Sequence, residues 1–145
     1  MAILNYTTSV NAERTVAEIH KILVANKAMA VLNEYENGLI THVSFRVQTH
    51  HGIMSVRLPA NVEGVYKVLQ REKIEKRLQT KERASWVAWR ILKDWLEAQM
   101  ALIKVEMAAL EQVFLPYIQT PTGETVYEKF LGGGLQALTY DGEQT

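Results

Sequence analysis

The chain contains no cysteine. Disulfides, thiolate nucleophiles and zinc–thiolate sites are therefore excluded. No apolar run approaches the roughly 18 residues that a membrane-spanning helix requires, so no membrane partner is expected. The opening stretch, MAILNYTTSVNAERT, has no basic region followed by an apolar segment, and no signal peptide is expected. A cytoplasmic location is the corresponding expectation. Lys plus Arg number 16 and Asp plus Glu number 16, so global charge gives no argument for a polyanionic partner. Four nucleotide-binding and catalytic signatures are also missing: G-x-x-x-x-G-K-[ST], G-x-G-x-x-G after a strand, G-x-S-x-G and H-E-x-x-H. His50-His51 falls in an expected hairpin turn, where adjacent side chains diverge, so no metal site is read there. No enzyme activity and no cofactor are expected.

What is present suffices for one folded unit. The chain has 145 residues, 48% of them apolar and 22% charged, which is ordinary for a domain with a single core. The 3 prolines and 8 glycines mostly read as boundaries between elements. Asn11 is an expected N-cap for a helix over 12–26, with Val16, Ile19 and Leu23 inward. A strand over 28–35 leads to Asn37-Gly38, the pair favoured by a type I′ hairpin turn. Strands over 39–48 and 53–58 follow, separated by a second turn. Asn61 caps a helix expected over 62–77. Thr80 caps another, and a short helix is expected over 126–131.

The helix after Thr80 is the most distinctive feature. The pattern predicts that it runs to Phe114, about 33 residues and roughly 50 Å at about 1.5 Å per residue. On a helical wheel its apolar arc spans about 220°, against the stripe of somewhat over 100° that packing on one core needs. The excess predicts a second buried side, against another copy of the chain. The alanine-rich seam of Ala88, Ile91, Trp95, Ala98, Leu102 and Val105 is the expected interface. Gln99 and Glu106, seven residues apart within the arc, are expected to fix its register. The predicted fold is α+β, a three-stranded antiparallel meander in α-β-β-β-α-α order with one very long amphipathic helix. It forms one domain over 1–131, followed by a flexible tail over 132–145.

The zero net charge conceals a gradient. Bases cluster between Lys67 and Lys93, and acids dominate after Lys104. Arg83, Trp86, Arg90 and Lys93 share one side of the long helix at spacings of three, four and seven. An aromatic ring among cations can stack on a base while the cations hold phosphates. Arg71, Lys73, Lys76 and Arg77 would support them. On the sheet, Val43, Phe45 and Val47 are expected to face the core. His42, Ser44 and Arg46, with Ser55 and Arg57, would form a polar face able to hold an anion.

The α-β-β-β-α order of residues 12–77 resembles the double-stranded RNA-binding domain in topology only. The basic cluster that opens the last helix of that domain is replaced here by Asn61-Val62-Glu63-Gly64. Four segments carry a closer resemblance. They are Glu36-Asn37-Gly38-Leu39, the run from Trp89 to Met100 (WRILKDWLEAQM), Phe114-Leu115-Pro116-Tyr117, and the run from Gly123 to Glu128 (GETVYE). Together they resemble a family of small phage- and prophage-encoded proteins of unassigned activity. The resemblance implies a host-cell setting and no catalytic residue. The functional expectation is a non-catalytic oligomeric accessory protein that binds a phosphate-bearing ligand, foremost nucleic acid. The alternatives are a sponge holding a host nucleotide between subunits through Arg46, Arg57 and Trp86, or a module that inhibits a host protein.

Overall fold

The computed structural model describes residues 1–140; the last five residues of the expected tail lie outside them. Helix α1 (Ala12–Ala25) is followed by strands β1 (Ala30–Glu36), β2 (Leu39–Thr49) and β3 (Gly52–Pro59), then helices α2 (Val62–Arg71) and α3 (Lys81–Lys104). The strands form one antiparallel sheet in the order β1-β2-β3. The architecture is the α+β meander that the sequence predicts. Asn37 and Gly38 both have positive φ, 51° and 79°, as a type I′ turn requires. Asn11, Asn61 and Thr80 each accept the N3 amide of the helix they open.

Helices α1 and α3 cover one face of the sheet. Val16, Ile19 and Leu23 of α1 meet Val43, Phe45 and Val47 of β2, Val56 and Leu58 of β3, and Trp89, Leu96 and Met100 of α3 in a single core. Phe114 stacks edge-on against Phe45 at 5.5 Å and against Trp95 at 5.8 Å. Trp95 continues the string to Tyr117 at 5.6 Å. The wide apolar arc of α3 is thus largely answered from within the chain, by α1, by α2 and by these aromatics. Ala88 is buried in this packing, and only Ala98 and Val105 of the alanine-rich seam stand exposed.

Two helices stop earlier than predicted, and the reason is shared. Helix α3 has 24 residues, and the segment to Phe114 resumes only as α4 (Leu110–Phe114). At its end the Glu106 amide donates to Ile103 O at 3.1 Å and the Met107 amide to Leu102 O at 2.9 Å, with Glu106 at φ 61°. This is a Schellman stop, with a left-handed residue just past the helix. Glu106 therefore lies past the helix end and does not share a helix face with Gln99. Helix α2 ends the same way, with Lys73 at φ 54° and the Ile74 amide on Leu69 O at 3.2 Å. A short 3₁₀ turn (Lys76–Leu78) occupies the rest of the expected helix. Helix α1 uses Lys27 at φ 71°, with the Ala28 amide on Leu23 O at 2.9 Å. None of the three stops is a glycine, the residue that would have announced it.

Strand β2 carries one extra residue. Glu34 pairs with His42 but Tyr35 pairs with Ile40, leaving Thr41 as a bulge. Three groups at the bulge make hydrogen bonds outside the β1–β2 ladder. Ile40 O accepts the buried Trp89 indole N–H at 3.0 Å, Thr41 O accepts the Ala60 amide at 2.9 Å, and Thr41 Oγ1 donates to Glu34 O at 3.4 Å. The bulge also turns Ile40 into the core alongside Val43, although the two differ in strand parity.

Beyond α4 a 3₁₀ turn (Leu115–Tyr117) leads into Ile118, which bridges to Val56 on the outer edge of β3. Helix α5 (Val126–Phe130) and a 3₁₀ turn (Gly134–Leu138) follow, so the expected loose tail holds local structure up to that point.

The helix stop makes a sharp prediction. Glu106→Gly should raise stability by about 1 kcal/mol, because glycine enters the left-handed region without strain. Were the helix continuous there, the same change would cost about 1 kcal/mol. Urea unfolding of the two proteins decides between these.

Candidate functional site

The predicted ligand residues separate into three places. Arg83, Trp86, Arg90 and Lys93 lie on the flank of α3 that faces the N-terminal segment and α1. There the cations already have partners. The Arg83 guanidinium lies 4.8 Å from the Trp86 ring centroid and donates to Thr8 O at 3.3 Å. Arg90 pairs with the Glu18 carboxylate and reaches Thr15 Oγ1 at 3.4 Å. Lys93 pairs with Glu97 one turn along α3. Next to them, Asn5 Nδ2 donates to Asp94 at 2.8 Å. This flank is an internal seam that ties residues 5–18 to α3, and its charge is spent there.

Arg71, Lys73, Lys76 and Arg77 lie at the end of α2 and in the turn after it, all exposed. Arg77 pairs with Glu75 at 2.7 Å, and Glu72 is occupied by the Ile3 amide at 3.0 Å. Arg71, Lys73 and Lys76, with Lys67 one turn earlier, pair with no carboxylate among the described residues. Lys67 and Arg71 stand four residues apart on the solvent side of α2, opposite the buried Leu69.

Arg46 and Arg57 lie on the outer face of the sheet, away from the helical layer that holds Trp86, so these three do not converge within one chain. Arg57 is engaged: it donates to both Glu34 oxygens, at 3.0 and 2.7 Å. His42 Nδ1 lies 3.7 Å from Glu34 Oε2 and 3.0 Å from Thr41 Oγ1. A cleft of about 220 Å³ opens beside them, lined by His42, Arg57, Pro59, Tyr117, Tyr127 and Glu128. Arg46 borders a separate, shallower cleft of about 330 Å³ with Ser44, Ser55 and Gln119, and Ser55 Oγ donates to Gln119 Oε1 at 2.9 Å.

The electrostatics of the Glu34–His42–Arg57 cluster are coupled. The hydrogen bonds from Arg57 hold the Glu34 carboxyl below its usual range. Burial, helped by the Arg57 charge, pushes the His42 imidazole below its ordinary value. The Thr125 amide, then its hydroxyl, lower Glu128, to which Arg57 and His42 add a smaller attraction. Glu34 is committed to Arg57, so it is poorly placed to act as a free base for His42. The arrangement acts as an electrostatic latch that joins β1, β2 and β3, with Glu128 of α5 lining the same cleft. Glu34 and Glu128 escape the sequence reading. A two-residue turn alone would set Glu34 opposite Thr41, and only the bulge moves it onto His42.

No protein family, curated protein or solved structure matches the chain. Among the described residues, no group of three or more His, Cys, Asp or Glu is placed to hold a metal ion.

The latch predicts how stability depends on pH. His42 is harder to protonate folded than unfolded, so stability should begin to fall as pH drops below its ordinary value of 6.5. Glu34 keeps its charge longer folded than unfolded. A second fall should therefore start near the ordinary carboxyl value of 4.5 and continue as pH passes through the lower folded value. In a series of urea midpoints against pH, His42→Gln should remove the first fall and Glu34→Gln the second.

Proposed function

We propose that the chain is a non-catalytic binding protein that holds nucleic-acid phosphates on the exposed cations of α2 and its following turn. The observation that carries this reading is the contrast between two basic clusters. On α3, Arg90 and Lys93 meet carboxylates and Arg83 lies on Trp86. On α2 and its turn, Lys67, Arg71, Lys73 and Lys76 face solvent without such partners. Phosphate contact needs mobile, unpaired cations whose neutralising counterions can be released. Four cations close together, on a helix end and the turn beyond it, suit a phosphodiester backbone better than a single small anion. Such contacts carry no sequence information in themselves. The expected behaviour is binding that depends on salt and little on base sequence, consistent with an accessory role in the phage setting that the sequence resembles.

The test is fluorescence anisotropy with a labelled duplex over a salt series. The logarithm of affinity should fall against the logarithm of salt with a slope of about −3 to −4, one unit for each phosphate neutralised. Arg71→Ala combined with Lys76→Ala should flatten that slope by about 2. Arg90→Ala should leave the slope unchanged and lower stability by about 1 kcal/mol through loss of the Glu18 pair. No binding, or binding indifferent to salt, overturns the reading. Loss of slope in Arg90→Ala would return the site to α3.

A further inference from the structure

The two edges of the sheet are treated differently. Ile118 bridges to Val56 and the Gln119 amide donates to Ser55 O at 2.8 Å, so the C-terminal segment closes the edge of β3. Strand β1 pairs with β2 alone. Among the described residues nothing pairs with its other side, so alternate residues of this strand of 7 turn unpaired N–H and C=O groups outward. Edge strands are ordinarily protected by lysine, proline, a bulge on the edge strand or short length. β1 has no lysine and no proline, its two acids, Glu34 and Glu36, sit at its C-terminal end with Glu34 held by Arg57, and the bulge residue belongs to β2. Its flank is apolar as well: Met29, Leu32 and Tyr35 are 58%, 62% and 61% exposed.

We propose that two copies of the chain pair antiparallel through β1, with a two-fold axis at Leu32, so that two three-stranded meanders become one continuous sheet. Charge fixes the direction. Glu34 and Glu36 lie at the end of β1, and Lys27 precedes its start. Antiparallel pairing brings Lys27 of one copy towards Glu36 of the other. Parallel pairing would align acids with acids. Geometry fixes the register. A two-fold axis normal to the sheet keeps the outer face outer in both copies, so opposed residues must share strand parity. With the axis at Leu32, the two Leu32 side chains oppose one another and Met29 opposes Tyr35, which covers all three exposed apolar residues. Ala30 then opposes Glu34 and leaves room for the Glu34–Arg57 pair. An axis at Asn33 would set Leu32 against Glu34, and one at Val31 would set Met29 against Asn33. The assembly surface is thus a sheet edge, distinct from the α3 seam, and it is independent of nucleic-acid binding.

The test uses the full chain. Native mass spectrometry and light scattering over a concentration series should show a dimer. Leu32→Lys and Leu32→Glu should each be monomeric, and mixing the two should restore a heterodimer, which also shows that both variants are folded. The absence of native cysteine allows a second arm. Leu32→Cys should form a disulfide-linked dimer under mild oxidation, because opposed residues in an antiparallel pair lie about 4.5–5.5 Å apart, within disulfide range. Ala98→Cys, on the exposed end of the α3 seam, should link far more slowly. A wild-type monomer at every concentration overturns the proposal. So does a dimer that Leu32→Lys leaves intact, or faster linkage through Ala98→Cys.

Discussion

A buried indole N–H ties α3 to the sheet at the one irregular point of the β1–β2 pairing, by donating to the Ile40 carbonyl. Ile40 stays paired with Tyr35, one residue before the inserted Thr41, and the Trp89 indole donates to its carbonyl at 3.0 Å. An unanswered carbonyl in that position would cost about 1–3 kcal/mol. The indole therefore anchors β2 to α3 next to the bulge. The bulge in turn sets the register that places Glu34 beside His42, within reach of Arg57. The latch on the outer face thus depends on a register that Trp89 braces from the other side of the sheet.

The charges show why a helical wheel misjudges a surface. Arg83, Arg90 and Lys93 do share a flank, as their spacing requires. The wheel takes no account of Glu18 or Thr8, which come from segments more than 70 residues away in sequence. The α2 cations escaped this fate because their neighbours are few and two of the nearby acids are engaged, Glu75 with Arg77 and Glu72 with the Ile3 amide. A charged residue is available for a ligand only when the fold brings it no counter-charge, and that is a tertiary fact.

Much of the fold was legible in local chemistry. The three asparagine and threonine caps, the Asn37-Gly38 turn and the alternation of Val43, Phe45 and Val47 are each decided within a few residues, and each falls where the pattern places it. The helix ends of α2 and α3 were not legible, because Lys73 and Glu106 adopt a conformation that their side chains do not advertise. Each stop offsets the left-handed cost with two backbone hydrogen bonds, and only after α2 is the following apolar residue, Ile74, part-buried, since Met107 is exposed. The latch was hidden for a different reason. It depends on a one-residue shift between strands, and nothing near Thr41 distinguishes it from an ordinary strand residue.

The Trp89–Ile40 bond also bears on the order in which the chain is made. The donor and acceptor are 49 residues apart. A nascent chain that ends after β3 already holds all three strands, with only water to meet the Ile40 carbonyl. That bond forms only once α3 has been synthesised, so a contact that holds β2 is completed well after all three strands have left the ribosome.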